Sequence, residues 1–97
     1  HIGCNDYLAD IGKPGQFEGH EMVGAIEAVL AAARAQGLHT GLGGDKDVAR
    51  QMDWVRKGVR FITTQSDMAM LAADATRRTA ELRRALTPET HPKGGPK

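Results

Sequence analysis

The sequence predicts an α/β chain built on parallel strands, and three observations carry that expectation. Short apolar or β-branched runs alternate with amphipathic helical stretches along the 97 residues, the order of a parallel sheet with helical crossovers. Aspartates follow each strand end, at Asp6, Asp45 and Asp67, where open sheets and (β/α)8 barrels alike place active residues. Glycines stand where the helices should stop, at Gly37 and Gly58. Composition alone does not choose between an open doubly wound sheet and a barrel.

The elements follow in order. The chain opens on a strand end that leads at once into a long loop, within the turn-rich segment Ile2 to Gln16. Between Glu21 and Gln36 the residues Met22, Val23, Ile26, Val29, Leu30 and Ala33 fall at helical spacing, and Gly37 is placed for a left-handed cap. His39 to Leu42 is a short run into Gly43 and Gly44. Asp45 or Asp47 then offers an N-cap for a helix carrying Val48, Met52 and Val55, closed by Gly58. Val59 to Thr64 is rich in β-branched and aromatic residues and reads as a strand. The last helix runs from Asp67 to Leu86, with Met68, Leu71, Ala75, Leu82 and Leu86 expected toward a core and Arg77, Arg78, Arg83 and Arg84 outward. Residues 87–97 hold three prolines and two glycines without an apolar pattern, which predicts a loose tail.

Composition excludes several function classes. Thirteen basic and twelve acidic side chains leave a net charge of +1, too little for the basic face that holds nucleic acid. Cys4 is the single cysteine, so neither an intrachain disulfide nor a cysteine-based zinc cluster is expected, which suits a reducing cytoplasm. The longest apolar stretches are far shorter than a membrane span, and a soluble, cytoplasmic protein is expected. Ninety-seven residues beginning at His1 are too few for a whole enzyme barrel, so the chain is expected to be a fragment that starts in mid-fold.

The segment with most chemical promise is Ile2 to Gln16, because a carboxylate, Asp6, lies in a turn-rich stretch directly after an apolar strand end. A hard cation held by a carboxylate, beside free backbone amides that bind an anionic substrate, is one use of such a loop. Capping of a short turn is the other. Gly41, Gly43 and Gly44 serve either a close substrate approach or turn conformations, with turns favoured. Leu42, between them, is a candidate pocket wall. Asp67 beside Ser66 reads as a helix cap. Cys4 has no histidine at an activating spacing and reads as a small apolar residue. His20 and His39 are isolated, His1 and His91 are terminal, and none belongs to a ligand pattern. Trp54 reads as packing, and the arginines of the last helix as a solvated face.

Three blocks in order resemble the HpcH/HpaI aldolase and citrate lyase family: Gly3-Cys4-Asn5-Asp6-Tyr7-Leu8-Ala9-Asp10-Ile11-Gly12, then Ala33-Arg34-Ala35-Gln36-Gly37, then Gly58-Val59-Arg60-Phe61-Ile62-Thr63-Thr64-Gln65-Ser66-Asp67. The resemblance implies the C-terminal part of a (β/α)8 TIM barrel over residues 1–86, with 87–97 as its flexible tail. It further implies a class II pyruvate aldolase, in which Asp6 coordinates a divalent cation (Mg²⁺, Mn²⁺ or Co²⁺) and the backbone amides of Asn5 and Asp6 hold the carboxylate of pyruvate. The family's other metal ligand, a glutamate, and its base histidine and arginine match no residue of this chain, so no catalytic residue beyond the metal and substrate ligands is expected here. The implied reaction is cleavage of a 4-hydroxy-2-oxo acid to pyruvate and an aldehyde, with the small-molecule oxo acid and aldehyde as partners. The implied assembly is a homo-oligomer, a hexamer or a dimer with exchanged C-terminal helices. A citryl-CoA or malyl-CoA lyase relative and a noncatalytic oligomerisation module are the alternatives.

Overall fold

A computed structural model of the chain describes residues 1–88. Seven elements follow one another: β1 (Ile2–Gly3), α1 (Cys4–Asp10), α2 (His20–Ala35), β2 (Gly41–Gly43), α3 (Val48–Lys57), β3 (Phe61–Ile62) and α4 (Asp67–Leu86). The chain divides into two compact units, His1–Gln65 and a second that begins at Ser66. The predicted tail begins at Thr87, which caps α4 in an extended conformation. Residues 89–97, with His91, lie outside the described residues.

In the first unit the three strands form one parallel sheet in the order β1-β2-β3, with Ile2 opposite Leu42 and Leu42 opposite Ile62. Backbone bonds from Arg60 N–H to Thr40 C=O and from Thr63 N–H to Leu42 C=O extend the β2–β3 pairing on both sides. The α/β class therefore holds, but the expectation of part of a (β/α)8 barrel is corrected. Closure demands strands that continue around and pair back onto the first, whereas among the described residues three strands make an open sheet with β1 and β3 as its edges.

Side chains alternate across a strand, and on one face Ile2, Leu42 and Ile62 meet the helices. The buried core comprises Cys4 and Leu8 of α1, Met22, Ile26 and Leu30 of α2, Leu42 of β2, Trp54 of α3, and Val59. On the other face β2 offers only glycines. A Cβ at Gly41 would lie 2.1 Å from the Phe61 ring, and one at Gly43 would lie 2.8 Å from the His1 ring. The two rings stack at 5.6 Å between centroids. Gly41 and Gly43 are thus strand residues that admit neighbouring rings, not the turn that their type suggested. The turn is left to Gly44, at φ +98°.

The loop expected after β1 is instead the helix α1, whose Cys4 and Leu8 are spaced i, i+4 and both buried. The helix α2 ends as its glycine predicts. Gly37 takes φ +70°, with bonds from Gly37 N–H to Arg34 C=O and from Leu38 N–H to Ala33 C=O. In α3 Trp54 is buried, as its packing role predicts, together with Gln51, while Val48, Met52 and Val55 are exposed and line an open groove of about 340 Å³. Trp54 removes more apolar area from water than a valine does. Gln51 satisfies its amide by donating to the carbonyls of Asp45 and Thr64 and accepting from the Thr64 hydroxyl, so this phase leaves no amide unmet.

The helix α4, described by itself, begins at a Ser66 hydroxyl that accepts from Ala69 N–H. Arg77 pairs along it with Asp74 and Glu81. None of its residues is buried, so Met68, Leu71, Leu82 and Leu86 are exposed rather than directed to a core. Among the described residues no helix is long and apolar enough to cross a membrane.

The phase of α3 has a direct consequence for stability. Trp54→Ala should cost about 3–5 kcal/mol, whereas Val55→Ala should stay within about 1 kcal/mol, both read from urea unfolding midpoints.

Candidate active site

Asp6 and Asn5 lie in the first turn of α1, at the carboxyl end of β1, where a parallel sheet presents its functional residues. Both side chains are exposed. Gly3 occupies the N-cap position without a side chain to cap the turn, so the first-turn N–H groups lack a capping partner from it. The absence of a Cβ at Gly3 has a second effect. An added Cβ would sit 3.3 Å from Asp6 Oδ2, so the glycine leaves room for the carboxylate to fold back over the strand end.

The side chain of Asn5 does something that sequence reasoning did not identify. Its Nδ2 donates to the carbonyl of Gly44 at 3.1 Å, bridging α1 to the turn that follows β2. The approach is close, since a Cβ on Gly44 would come within 2.9 Å of the Asn5 backbone nitrogen. The residue type at 44 carried the only advance signal, since glycine is what a positive φ and a near backbone both require.

Asp45, next in the chain, accepts three hydrogen bonds. Arg50 engages it with two parallel bonds, Nε to Oδ2 at 2.6 Å and Nη2 to Oδ1 at 3.0 Å. Asp47 N–H also donates to Oδ1 at 3.0 Å, while the Asp47 side chain caps α3 by accepting from Arg50 N–H. Burial of Asp45 opposes its ionisation, but the Arg50 guanidinium and the Asp47 amide outweigh it and hold the carboxyl below its ordinary range. Hydrogen bonding to Asp45 raises the already high pKa of Arg50 further.

Cys4 is buried beneath this site. Burial pushes its thiol pKa up, the nearby Asp45 charge adds to the effect, and a bond from Gly43 N–H opposes it. A suppressed thiolate agrees with its expected packing role. His20 is exposed beside Glu21, His39 is exposed, and His1 lies against Phe61. Asp67 accepts from Met68 N–H at the start of α4, where Ser66 supplies the cap.

The donor set suits one part of a cation site. A carboxylate oxygen such as that of Asp6 is the ligand type that hard divalent ions take. Among the described residues no three His, Cys, Asp or Glu side chains gather closely enough to hold a metal ion by themselves. Asp6 would therefore share any ion with donors from elsewhere.

Two outcomes follow from the electrostatics. A depressed carboxyl pKa contributes stability that is fully present above the unfolded value of about 3.9 and is lost as pH falls through the lower folded value. Asp45→Asn should thus cost about 1–3 kcal/mol at pH 7, and the gap from wild type should close in denaturation curves taken below pH 4. Cys4 should react with iodoacetamide at least about 100-fold more slowly in native buffer than in urea, as expected of a buried, protonated thiol.

No family model matches the chain. It is similar to the 4-hydroxy-4-methyl-2-oxoglutarate aldolase cghB of Chaetomium globosum, at 36% identity over 89 residues, which is 87% of this chain and 33% of the relative. It is similar also to the 4-hydroxy-4-methyl-2-oxoglutarate aldolase tasA of Hapsidospora irregularis, at 36% identity over 76 residues, 76% of this chain and 28% of the relative. The chain spans about a third of the length of these curated relatives, and over that third its sequence is related to proteins named as aldolases.

Proposed function

We propose that this chain contributes the metal-ligand and substrate-carboxylate portion of a class II pyruvate aldolase of the HpcH/HpaI kind, cleaving a 4-hydroxy-2-oxo acid to pyruvate and a second carbonyl compound. The observation that carries the proposal is the similarity to two proteins named as aldolases across most of this chain. The position of Asp6 supports it, with an exposed carboxylate folded over Gly3 at the carboxyl end of a parallel strand.

In retro-aldol cleavage the bond between C3 and C4 breaks, the C4 hydroxyl loses its proton as the new carbonyl forms, and the electron pair passes to C3 as the enolate of pyruvate. A divalent cation, when bound, supplies positive charge against the enolate oxygen and needs no Schiff-base lysine. Asp6 contributes one anionic oxygen toward that cation. The amides of Asn5 and Asp6, at the start of a helix, orient the oxo-acid carboxylate by donating to its oxygens. Protonation of the enolate at C3 releases pyruvate. None of the described residues is assigned as the proton carrier, and none joins Asp6 in a ligand cluster.

The relatives' names suggest the substrate to try first. Cleavage of 4-hydroxy-4-methyl-2-oxoglutarate gives two molecules of pyruvate, because its C4 carries a methyl and a carboxylate. The full-length protein, titrated with Mg²⁺, Mn²⁺ or Co²⁺, should release pyruvate from this acid. Asp6→Ala should lower kcat/KM by at least about 100-fold, the upper range seen for mere outer-shell partners of a metal, while its circular dichroism stays unchanged. Absence of pyruvate release by wild type with every cation and several 4-hydroxy-2-oxo acids would remove the aldolase reading. Turnover of a CoA thioester instead would favour the citryl-CoA or malyl-CoA lyase alternative.

A further inference from the structure

Arg50 stands on α3, apart from Asn5 and Asp6 in sequence, yet it binds the β2–α3 turn, whose Gly44 meets Asn5, and the α1–α2 loop as well. Its Nε and Nη2 hold Asp45 in the β2–α3 turn. Its Nη1 reaches Glu18 Oε2 at 3.0 Å in the α1–α2 loop, and its guanidinium lies 5.4 Å from the centroid of the Phe17 ring in that same loop. The carboxylates facing it are therefore Asp45, Glu18 and, at 4.0 Å, Asp47. The Asp45 side chain is only 12% exposed and that of Arg50 28%. A half-buried ion pair of this kind is weak evidence for stability and is better explained where it fixes one arrangement of the chain.

The turn that Arg50 fixes is the one that meets Asn5. Gln51 holds the Asp45 carbonyl at 2.7 Å, so Asp45 is secured through its side chain by Arg50 and through its backbone by Gln51. Gly44, immediately before it, accepts the Asn5 Nδ2 bond at 3.1 Å. The path from guanidinium to site thus runs Arg50, Asp45, Gly44, Asn5, with Asp6 the next residue.

We propose that Arg50 is a positioning residue of the candidate active site, locking the β2–α3 turn and the α1–α2 loop together so that Gly44 holds Asn5, and through it the first turn of α1, in register for substrate. The proposal rests on the aldolase reading of Asn5 and Asp6. It assigns the Asn5 side chain the task of a strut, separate from the substrate contact of its backbone amide. Lysine would be a poor substitute for Arg50, because a single ammonium cannot make the two parallel bonds to Asp45 while also reaching Glu18.

The test is a double-mutant cycle on the full-length protein, with pyruvate release from 4-hydroxy-4-methyl-2-oxoglutarate measured at saturating Mn²⁺. Arg50→Met should lower kcat about 10–100-fold, the scale at which small misplacements act, with KM changed less than kcat. Arg50→Lys should recover only part of that loss. In an Asn5→Ala background, Arg50→Met should add little, because the strut it acts through is already gone. Independent, multiplicative losses in the double variant, or unchanged kcat in a folded Arg50→Met protein, would overturn the proposal. If Arg50→Met does not fold, the exposed Glu18→Gln change in the same cycle tests the loop half of the lock and should be coupled to Asn5→Ala in the same sense. A second readout separates this claim from the aldolase reading. The Asn5 side-chain amide signals in an NMR spectrum should shift, and their hydrogen exchange quicken, on Arg50→Lys even if wild type releases no pyruvate; signals that stay in place would refute the positioning role.

Discussion

The first unit depends on a constraint at its middle strand. β2 is three residues long and pairs on both sides, so its two faces must satisfy different neighbours at once. Leu42 fills the helical side, against Ile2, Ile62 and the core residues of α1 and α2. The opposite side must stay bare, because the Phe61 and His1 rings occupy the space that side chains at positions 41 and 43 would need. Gly-Leu-Gly is the pattern that meets both demands, and the flanking elements take their places from it. β1 brings Gly3 and α1 to one side of β2, and β3, preceded by the buried Val59, pairs on the other.

Two glycines then connect this scaffold to the site. Gly3 gives the Asp6 carboxylate its place over the strand end, and Gly44 lets the β2–α3 turn approach the Asn5 backbone. Neither carries chemistry. Their contribution is the lack of a Cβ, which converts strand ends into a surface where a carboxylate, an amide and a carbonyl lie side by side. Charge is organised around the same turn, with Asp45 kept ionised by Arg50 despite its burial, and with Cys4 below it kept protonated.

Much of this was legible in the sequence, and the exceptions share a cause. The helices α2 and α4 keep the bounds that their caps predict, because Gly37 and Ser66 fix the ends through local backbone chemistry, and α2 buries Met22, Ile26 and Leu30 of its apolar stripe, whereas the apolar residues of α4 stay exposed. The parallel α/β order was also readable. Three features were not. The helix α1 was hidden because Asn5, Asp6 and Gly12 suggest turns, while only the burial of Cys4 and Leu8, a tertiary fact, makes those seven residues helical. The inward face of α3 was not evident because Gln51 reads as a surface residue until its three hydrogen bonds are known. The barrel followed from resemblance rather than from any pattern of spacing, and the open three-stranded sheet does not bear it out. Within the candidate site, Asp6 was singled out by its turn-rich surroundings, and the roles proposed for Asn5 and Asp6 come from the family resemblance. The links from Arg50 to Asp45 and Glu18, and from Asn5 to Gly44, span 5, 32 and 39 positions and leave no signature in a single sequence.

The central claim is that Asp6 is a ligand to a divalent cation, and binding tests it more directly than turnover does. Mn²⁺ titrated into the full-length protein, followed by electron paramagnetic resonance of the free ion, measures occupancy without any substrate. The claim predicts that wild type withdraws Mn²⁺ from solution and that Asp6→Asn, nearly identical in shape but uncharged, weakens binding by at least about 10-fold. Equal binding by the two proteins would contradict it, and would leave Asp6 with no task beyond the first turn of α1.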